Sequence, residues 1–272
     1  MSFKIGFTTE PERKEQVLED ITSEQKTKPI CKKSVVDIFF PDRHLTCSYY
    51  NDMFDLKKGD IVYVEGKLEG KRGHVTNVNY TFKIKLSDYK RVIALVDTNV
   101  TGEFHVVGSH LITTDSKALN FEKIVTWFKA PYVEEEEFAS GEDGNGFNIS
   151  NLGDMDIDKA TADRGYDYFI KNRVAYIEIS NGKGRAIVLG TEPYEVEFNF
   201  SNGDISGLVC DCYCAGTCKH EFAVMLQLRE TLDTISDKYS FIDSSEYLAI
   251  VSKSVFFENA MDSITEGKFI VG

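Results

Sequence analysis

The sequence predicts an α+β fold, in which a β-rich N-terminal domain precedes an antiparallel meander that ends in a cluster of cysteines. Three observations support this prediction. Short runs rich in Val, Ile, Tyr and Phe recur at close spacing up to residue 96, as in a small antiparallel barrel or sandwich. Further strand-like runs after residue 172 are joined by Asn-Gly turns, which favour hairpins. Four of the six cysteines lie between Cys210 and Cys218.

The predicted N-terminal domain spans residues 1–131. It begins with a strand-like run and a helix with one apolar face over residues 11–24, and a second helix over residues 116–130 follows the strands. The strands are runs of β-branched and aromatic residues bounded by Gly, Pro and Asp. They cover residues 34–40, 45–50, 60–66, 74–79, 81–86 and 91–96.

A polar connector follows this domain. Residues 134–137 are four consecutive glutamates, and residues 140–146 contain only small and polar side chains. Such a composition buries too little apolar surface to offset the entropy lost on ordering, so an acidic linker is predicted over residues 132–157. The alternative interpretation is an acidic segment that contacts a basic partner.

The second predicted domain covers residues 158–272. A helix over residues 158–172 precedes an antiparallel meander, and the cysteine cluster follows the last strand of that meander. A helix is predicted over residues 220–232, and a further helical segment over residues 244–263. The four strands of the meander are predicted at residues 174–180, 185–189, 194–200 and 205–210.

Composition and charge narrow the possible functions. The 272 residues carry a net charge of −13, so non-specific coating of a phosphate backbone is not expected. No stretch reaches the roughly 20 apolar residues of a membrane-spanning helix. Residues 1–16 lack an apolar core with a small-residue cleavage site, so we expect a cytoplasmic protein. In a reducing compartment, clustered cysteines indicate metal binding rather than disulfides.

The segment from Cys210 to His220 contains the donor set of a structural zinc site. Residues two apart in a strand project to the same side, so Cys210 and Cys212 can direct both sulfur atoms to one point. A reversal over residues 215–217 returns Cys218, and His220 supplies an imidazole nitrogen at the start of a helix. Three thiolates and one imidazole complete a tetrahedral shell around one structural Zn²⁺, with no position for water or substrate.

The remaining cysteine of the cluster leaves an alternative ligand set. Cys214 could replace Cys210 and pair with Cys212, but only three residues would then separate that pair from Cys218. This loop is short for reversing a strand, so the pair Cys210 and Cys212 is favoured, with Cys214 as the spare thiol. Simple packing of four reduced cysteines in a core is disfavoured, because charged residues flank the cluster.

The order Cys-x-Cys, a variable gap, then Cys-x-His resembles the SWIM-type zinc finger family. The ending Cys218-Lys219-His220, followed by an apolar helix, is the most typical feature, and the resemblance covers residues 158–232. It implies one zinc ion on the four residues named above and a role in nucleic-acid or protein contacts. The sequence departs from the family pattern at Tyr213, where proline is common, and at the additional Cys214.

The sequence gives little support for a calcium site, a metalloprotease or a phosphate-binding loop. Asp154, Asp156 and Asp158 resemble the start of a calcium loop, but Lys159 and Gly165 stand where glycine and glutamate are required. The helix after the cysteines lacks the second histidine of a metalloprotease, and the sequence has no Gly-x-x-x-x-Gly-Lys-Ser/Thr phosphate loop. No enzyme is therefore predicted.

Basic and aromatic residues are interleaved between residues 60 and 91. Small barrels that bind single strands combine a basic groove with stacking aromatics in this way. The same pattern also arises when aromatic residues pack a core and lysines face solvent. The residues are Lys67, Lys71, Arg72, His74, Lys83, Lys85, Lys90 and Arg91, among Tyr63, Tyr80, Phe82 and Tyr89.

Together these features predict a zinc-binding, non-enzymatic interaction module that contacts nucleic acid or a nucleic-acid-processing complex. Single-stranded nucleic acid is favoured over duplex as a ligand. The alternative is a protein–protein adaptor that regulates a partner, for example an ATPase, in trans without touching nucleic acid. A small-molecule substrate and a membrane partner are not expected.

Overall fold

A computed structural model describes residues 31–131, 146–238, 246–261 and 269–271. These residues belong to one compact unit, Cys31–Gly272. The predicted strand and helix before residue 31, and the run of glutamates, lie outside the described residues. No helix in the described ranges is both long enough and apolar enough to cross a membrane.

Over the described residues, the first five strands form an antiparallel sheet, here called the N-terminal sheet. Their order is β2-β1-β4-β3-β5. Alternate residues of β1 point to one side, and Val36, Ile38 and Phe40 are fully buried there against β3 and β5. The strands are β1 (Ser34–Phe40), β2 (Leu45–Asn51), β3 (Ile61–Val64), β4 (Gly73–Asn79) and β5 (Val92–Leu95).

The N-terminal sheet does not close into the predicted barrel over the residues that the structure describes. Its edge strand β2 forms one isolated bridge, from Tyr50 to Arg91, the residue that precedes β5. Residues 81–86, predicted as a strand, join neither sheet and belong to the irregular connection between β4 and β5. Without that strand the hydrogen-bond ladder lacks the pairing that closure requires.

The other described strands form a second sheet, here called the large sheet. Its order is β14-β6-β7-β13-β9-β10-β11-β12-β8, and its pairings are antiparallel except that of β14 with β6. The strands are β6 (Gly102–Val107), β7 (His110–Thr113), β8 (Phe147–Asn148), β9 (Val174–Ser180), β10 (Lys183–Leu189), β11 (Pro193–Ser201), β12 (Asp204–Cys210), β13 (Tyr247–Ser252) and β14 (Phe269–Val271).

Helices cover both faces of the large sheet. Alternate residues of β13 enter different clusters, with Ile250 in the cluster that contains α3 and Val251 in the cluster that contains α1 and α4. Helix α2 packs along α3. The described helices are α1 (Phe121–Val125), α2 (Lys159–Ile170), α3 (Lys219–Lys238) and α4 (Lys253–Met261). The architecture is therefore mixed α+β, as predicted.

The large sheet takes strands from both sides of the predicted linker. β7, within the predicted N-terminal domain, pairs with β13, where Leu111 lies opposite Val251. Residues 146–157, predicted as linker, supply β8 and bury Leu152 and Met155 in the core. The two sheets are also joined by Arg72, whose guanidinium donates a hydrogen bond of 2.7 Å to the side chain of Asn259 in α4.

The prediction of helix across residues 244–263 is wrong for its first half. β13 occupies Tyr247–Ser252 and all six of its residues are buried, because the strand is central and covered on both faces. A short apolar run buried on both sides has no period of two, so periodicity alone does not separate it from a buried helix. The second half is helical, as predicted, in α4.

Candidate metal centre

The candidate metal centre lies where β12 gives way to α3. The ladder between β11 and β12 continues past Cys210, because the Asp211 amide donates to the Glu195 carbonyl at 3.0 Å. The Asp211 carboxylate in turn accepts from the Glu195 amide at 2.9 Å. Asp211 is thereby held on β11, and the cysteines on either side of it are set at the end of a rigid strand.

The structure brings Cys210, Cys212, Cys218 and His220 together. One ligand atom from each, three Sγ and one imidazole nitrogen, lies within 4.8 Å of all the others. The Cys210 Sγ lies 3.6 Å from the His220 Nδ1. A tetrahedral zinc shell places a sulfur and a nitrogen ligand about 3.5 Å apart, given bonds of about 2.3 and about 2.0 Å. The group could therefore hold a metal ion, with Nδ1 as the nitrogen donor.

Burial distinguishes the four residues from the spare cysteine. Cys218 and His220 are each 2% exposed, Cys210 is 8% exposed and Cys212 is half-buried. Cys214 is exposed and is not part of the group. The geometry thus matches the favoured ligand set rather than the alternative in which Cys214 replaces Cys210.

Cys218 occupies the N-terminal cap of α3. The Glu221 amide donates to the Cys218 Sγ at 3.5 Å, and the Glu221 carboxylate accepts from the Cys218 amide at 2.7 Å. This reciprocal pair is a capping box with a thiol in the place of the usual hydroxyl. The helix N-terminus also favours negative charge on the sulfur.

The hydrogen bond between the Cys210 and Cys218 thiols shifts their pKa values in opposite directions. The pKa of Cys218 is lowered to about 4, chiefly by the hydrogen bond from the Cys210 thiol. Further hydrogen bonds from His220 and the Glu221 amide act in the same direction, and burial opposes them. The same Cys210–Cys218 bond, together with burial, raises the pKa of Cys210. Burial raises the pKa of Cys212 to about 12. A cation that binds all three as thiolates therefore displaces protons, chiefly from Cys210 and Cys212.

Two aromatic rings hold the imidazole of His220. The Tyr194 ring stacks on it with centroids 4.2 Å apart, and the Tyr168 ring meets it edge-on at 5.3 Å. The His220 Nε2 is buried and has no hydrogen-bond partner within the described residues. Because Tyr194 covers one face and Tyr168 packs edge-on, the imidazole is oriented by packing, with Nδ1 toward the Cys210 sulfur.

Lys129, which follows α1 in the sequence, contacts the strand end that carries the cysteines. Lys129 forms ion pairs with the carboxylates of Glu195 and Asp211, the second at 3.8 Å. Burial raises the pKa of Asp211, while its hydrogen bond from Glu195 and the nearby Lys129 oppose that shift. Residues far apart in sequence therefore converge on the strand that carries Cys210 and Cys212.

Sequence reasoning selected the four residues that the structure brings together but missed the residues that surround them. Glu221 had a readable signal, since Cys218-x-x-Glu221 has the spacing of a capping box. No local spacing indicated the contacts of Tyr194 and Lys129 with the site, because these contacts depend on how the large sheet and α1 come together.

The basic and aromatic residues predicted to form a groove differ in how far the protein itself engages them. Tyr63 is fully buried, the Arg72 guanidinium donates a hydrogen bond to Asn259, and Arg91 forms an ion pair with Asp52 at 2.8 Å. Tyr80, Lys83, Lys85 and Lys90 are exposed along the connection between β4 and β5, whereas Lys67 and Lys71 are exposed between β3 and β4.

Comparison with known proteins finds no match. No family model, curated protein or solved structure gives a significant match.

Proposed function

We propose that the chain is a zinc-binding, non-enzymatic interaction module that contacts nucleic acid or a nucleic-acid-processing complex. One Zn²⁺, held by Cys210, Cys212, Cys218 and His220, fastens the end of β12 to the start of α3. The observation that carries the proposal is the convergence of three sulfurs and one imidazole nitrogen within 4.8 Å.

The donor set favours zinc over other common ions. Three thiolates and an imidazole suit Zn²⁺, whereas Mg²⁺ and Ca²⁺ take oxygen ligands. Four protein donors leave no position for a substrate, and the donors are largely buried, so the ion has a structural role. The sequence Cys218-Lys219-His220 at the start of a helix supports membership of the SWIM-type zinc fingers, and with it a role in macromolecular contacts.

Metal analysis of two matched variants tests the zinc site. Cys218→Ser should lose zinc, because it removes a buried donor, and the midpoint of thermal unfolding should fall. Cys214→Ser makes the same chemical change at the exposed thiol and should keep one zinc per chain. Atomic absorption on the purified proteins gives the stoichiometry.

Three results of that analysis would contradict the site. Zinc retained at full stoichiometry by Cys218→Ser would exclude that residue as a ligand. Zinc lost from Cys214→Ser would favour the alternative ligand set. A wild-type protein purified without zinc, and unable to take it up at neutral pH, would refute the metal site itself.

One observation favours the adaptor as a second candidate function. The net charge of −13 opposes binding to polyphosphate and suits a basic protein partner. The two candidates differ in salt dependence, since phosphate contacts release counterions and give a steep slope of affinity against salt concentration. An adaptor without nucleic-acid contact would bind no oligonucleotide at any salt concentration.

A further inference from the structure

The charge of the chain is unevenly distributed. Residues 31–100, which contain the N-terminal sheet, have twelve Lys and Arg against nine Asp and Glu, although the whole protein has a net charge of −13. Within them, residues 80–91 between β4 and β5 hold four basic side chains and one carboxylate, Asp88. This stretch is here called the basic segment. It is a cationic surface on an acidic protein, and surfaces of this kind attract phosphate.

Contacts at both ends hold the basic segment in place. At its start, the Thr81 amide donates to the Asn79 side chain at 2.9 Å, and the Tyr80 hydroxyl donates to the Leu56 carbonyl at 3.3 Å. At its end, the Arg91 amide donates to the Glu65 carboxylate at 2.8 Å, and the Lys90 carbonyl accepts from the amide of β2 residue Tyr50. A segment fixed in this way loses little conformational entropy when it binds.

The middle of the segment presents alternating side chains to the protein and to solvent. Phe82 is half-buried and its ring meets the Tyr50 ring edge-on at 6.1 Å. Lys83 and Lys85 are exposed on either side of half-buried Ile84, and the Lys85 side chain is 78% exposed. The Lys85–Asp88 ion pair, at 4.0 Å between two exposed groups, is too weak to occupy the lysine.

An exposed aromatic ring lies at the start of the same segment. Tyr80 is 41% exposed, and the ammonium group of Lys32 lies 4.7 Å from its ring centroid. Lys32 lies over one face of this ring, so a base would stack on the opposite face while the ammonium supplies a charge for the adjoining phosphate. Leu86, 53% exposed, adds apolar surface.

We propose that the basic segment, with Tyr80, Lys83 and Lys85 as its principal contacts, binds single-stranded nucleic acid. This deepens the proposed function by locating its nucleic-acid contact on the N-terminal sheet rather than on the metal centre. Single strands fit this surface because their bases are free to stack on Tyr80 while the phosphates follow the lysines.

Fluorescence anisotropy with a labelled oligothymidylate of roughly 20 nucleotides tests the proposal on the full chain. The wild-type protein should bind, and the double variant Lys83→Ala/Lys85→Ala should lower the slope of log affinity against log salt concentration by about 1.4. Each phosphate contact on a single strand contributes about 0.7 to that slope. Tyr80→Ala should weaken binding about tenfold, through lost stacking.

The matched control is Lys159→Ala/Lys183→Ala. It removes the same charge at two exposed positions that belong to α2 and the large sheet, and should leave the slope unchanged. Thermal unfolding of each variant confirms that it is folded. Equal effects of the two double variants would show a response to net charge alone and would overturn the proposal.

Failure of this proposal can be told apart from failure of the metal site. A wild-type protein that contains zinc but binds no oligothymidylate overturns the basic segment as a nucleic-acid surface and favours a protein partner. Loss of zinc in Cys218→Ser with oligothymidylate binding retained supports the location on the N-terminal sheet, because the two sites then act separately.

Discussion

At the scale of single residues, the cap of α3 is also part of the candidate metal centre. Cys218 is at once a candidate ligand and the helix cap, and Glu221 completes the cap from a position that is 6% exposed. The carboxylate accepts a buried backbone N–H that would otherwise have no partner, and such an unmet donor costs about 1–3 kcal/mol. Glu221 is therefore expected to matter for metal retention without touching the ion.

Glu221→Ala should lower the free energy of unfolding by about 1–2 kcal/mol, because the buried Cys218 amide loses its acceptor. It should also weaken zinc binding by about 10- to 100-fold, the usual effect of removing a group that orients a ligand. Chemical denaturation and competition with a zinc-binding dye measure the two effects. Glu230→Ala, an exposed change on the same helix, is the control. Equal zinc affinity in the two variants would contradict the role assigned to Glu221.

At the scale of elements, the site depends on the close approach of α2 to α3. Gly165 of α2 is buried, and a Cβ placed there would lie 2.9 Å from the Lys219 carbonyl oxygen and 2.9 Å from the Phe222 ring. Lys219 stands between Cys218 and His220, so this contact sets the position of the first turn of α3. A glycine inside a helix normally costs about 1 kcal/mol relative to alanine, and here it is required by packing.

Gly165→Ala should therefore destabilise the protein by about 1–3 kcal/mol, since overpacking against backbone outweighs the gain in helix propensity. It should weaken zinc binding as well, because α3 shifts. Gly216→Ala is a strict comparison, as Gly216 lies in the metal loop itself but a Cβ there has nothing within 4 Å. Thermal unfolding with and without zinc reports both effects. If Gly165→Ala stabilised the protein instead, the gain in helix propensity would outweigh the steric contact with α3.

At the scale of the whole molecule, the large sheet connects the metal centre to residues distant from it. Trp127 is 1% exposed and packs in the cluster of α1 and α4, while α3 packs in the other cluster. The two clusters share the central strands β9 and β13. Unfolding of the helices on either face would therefore expose apolar side chains of these strands. Residues 31–272 form one compact unit, and we expect them to unfold together.

Removal of zinc with a chelator should lower the midpoint of thermal unfolding read from the fluorescence of Trp127, the single tryptophan of the chain. The same midpoint should be seen by circular dichroism. Cys218→Ser, already without zinc, should not respond to the chelator. If chelation lowers the midpoint by circular dichroism while the Trp127 transition stays in place, the two faces unfold separately.

Local patterns predicted those parts of the fold whose determinants are close in sequence. The meander β9–β12 follows from alternating residues and Asn-Gly turns, and the helix predicted over residues 158–172 is present as α2. The structure adds its cap, Asp158, whose carboxylate accepts from the Thr161 amide at 3.0 Å. The grouping of Cys210, Cys212, Cys218 and His220 also follows from local spacing, since a strand end, a tight loop and a helix start bring them together.

Tertiary structure decided what local spacing does not encode. β6 and β7 were not foreseen, and β13 was predicted as helix, because their strand character depends on the partners that cover both faces of the large sheet. The same holds for Tyr194 against His220 and for Lys129 beside Asp211. By itself the sequence confined the candidate metal centre to eleven consecutive residues, and the structure groups Cys210 rather than Cys214 with the other three. The surroundings that bury and orient it arise from long-range pairing, in which burial outweighs local propensity.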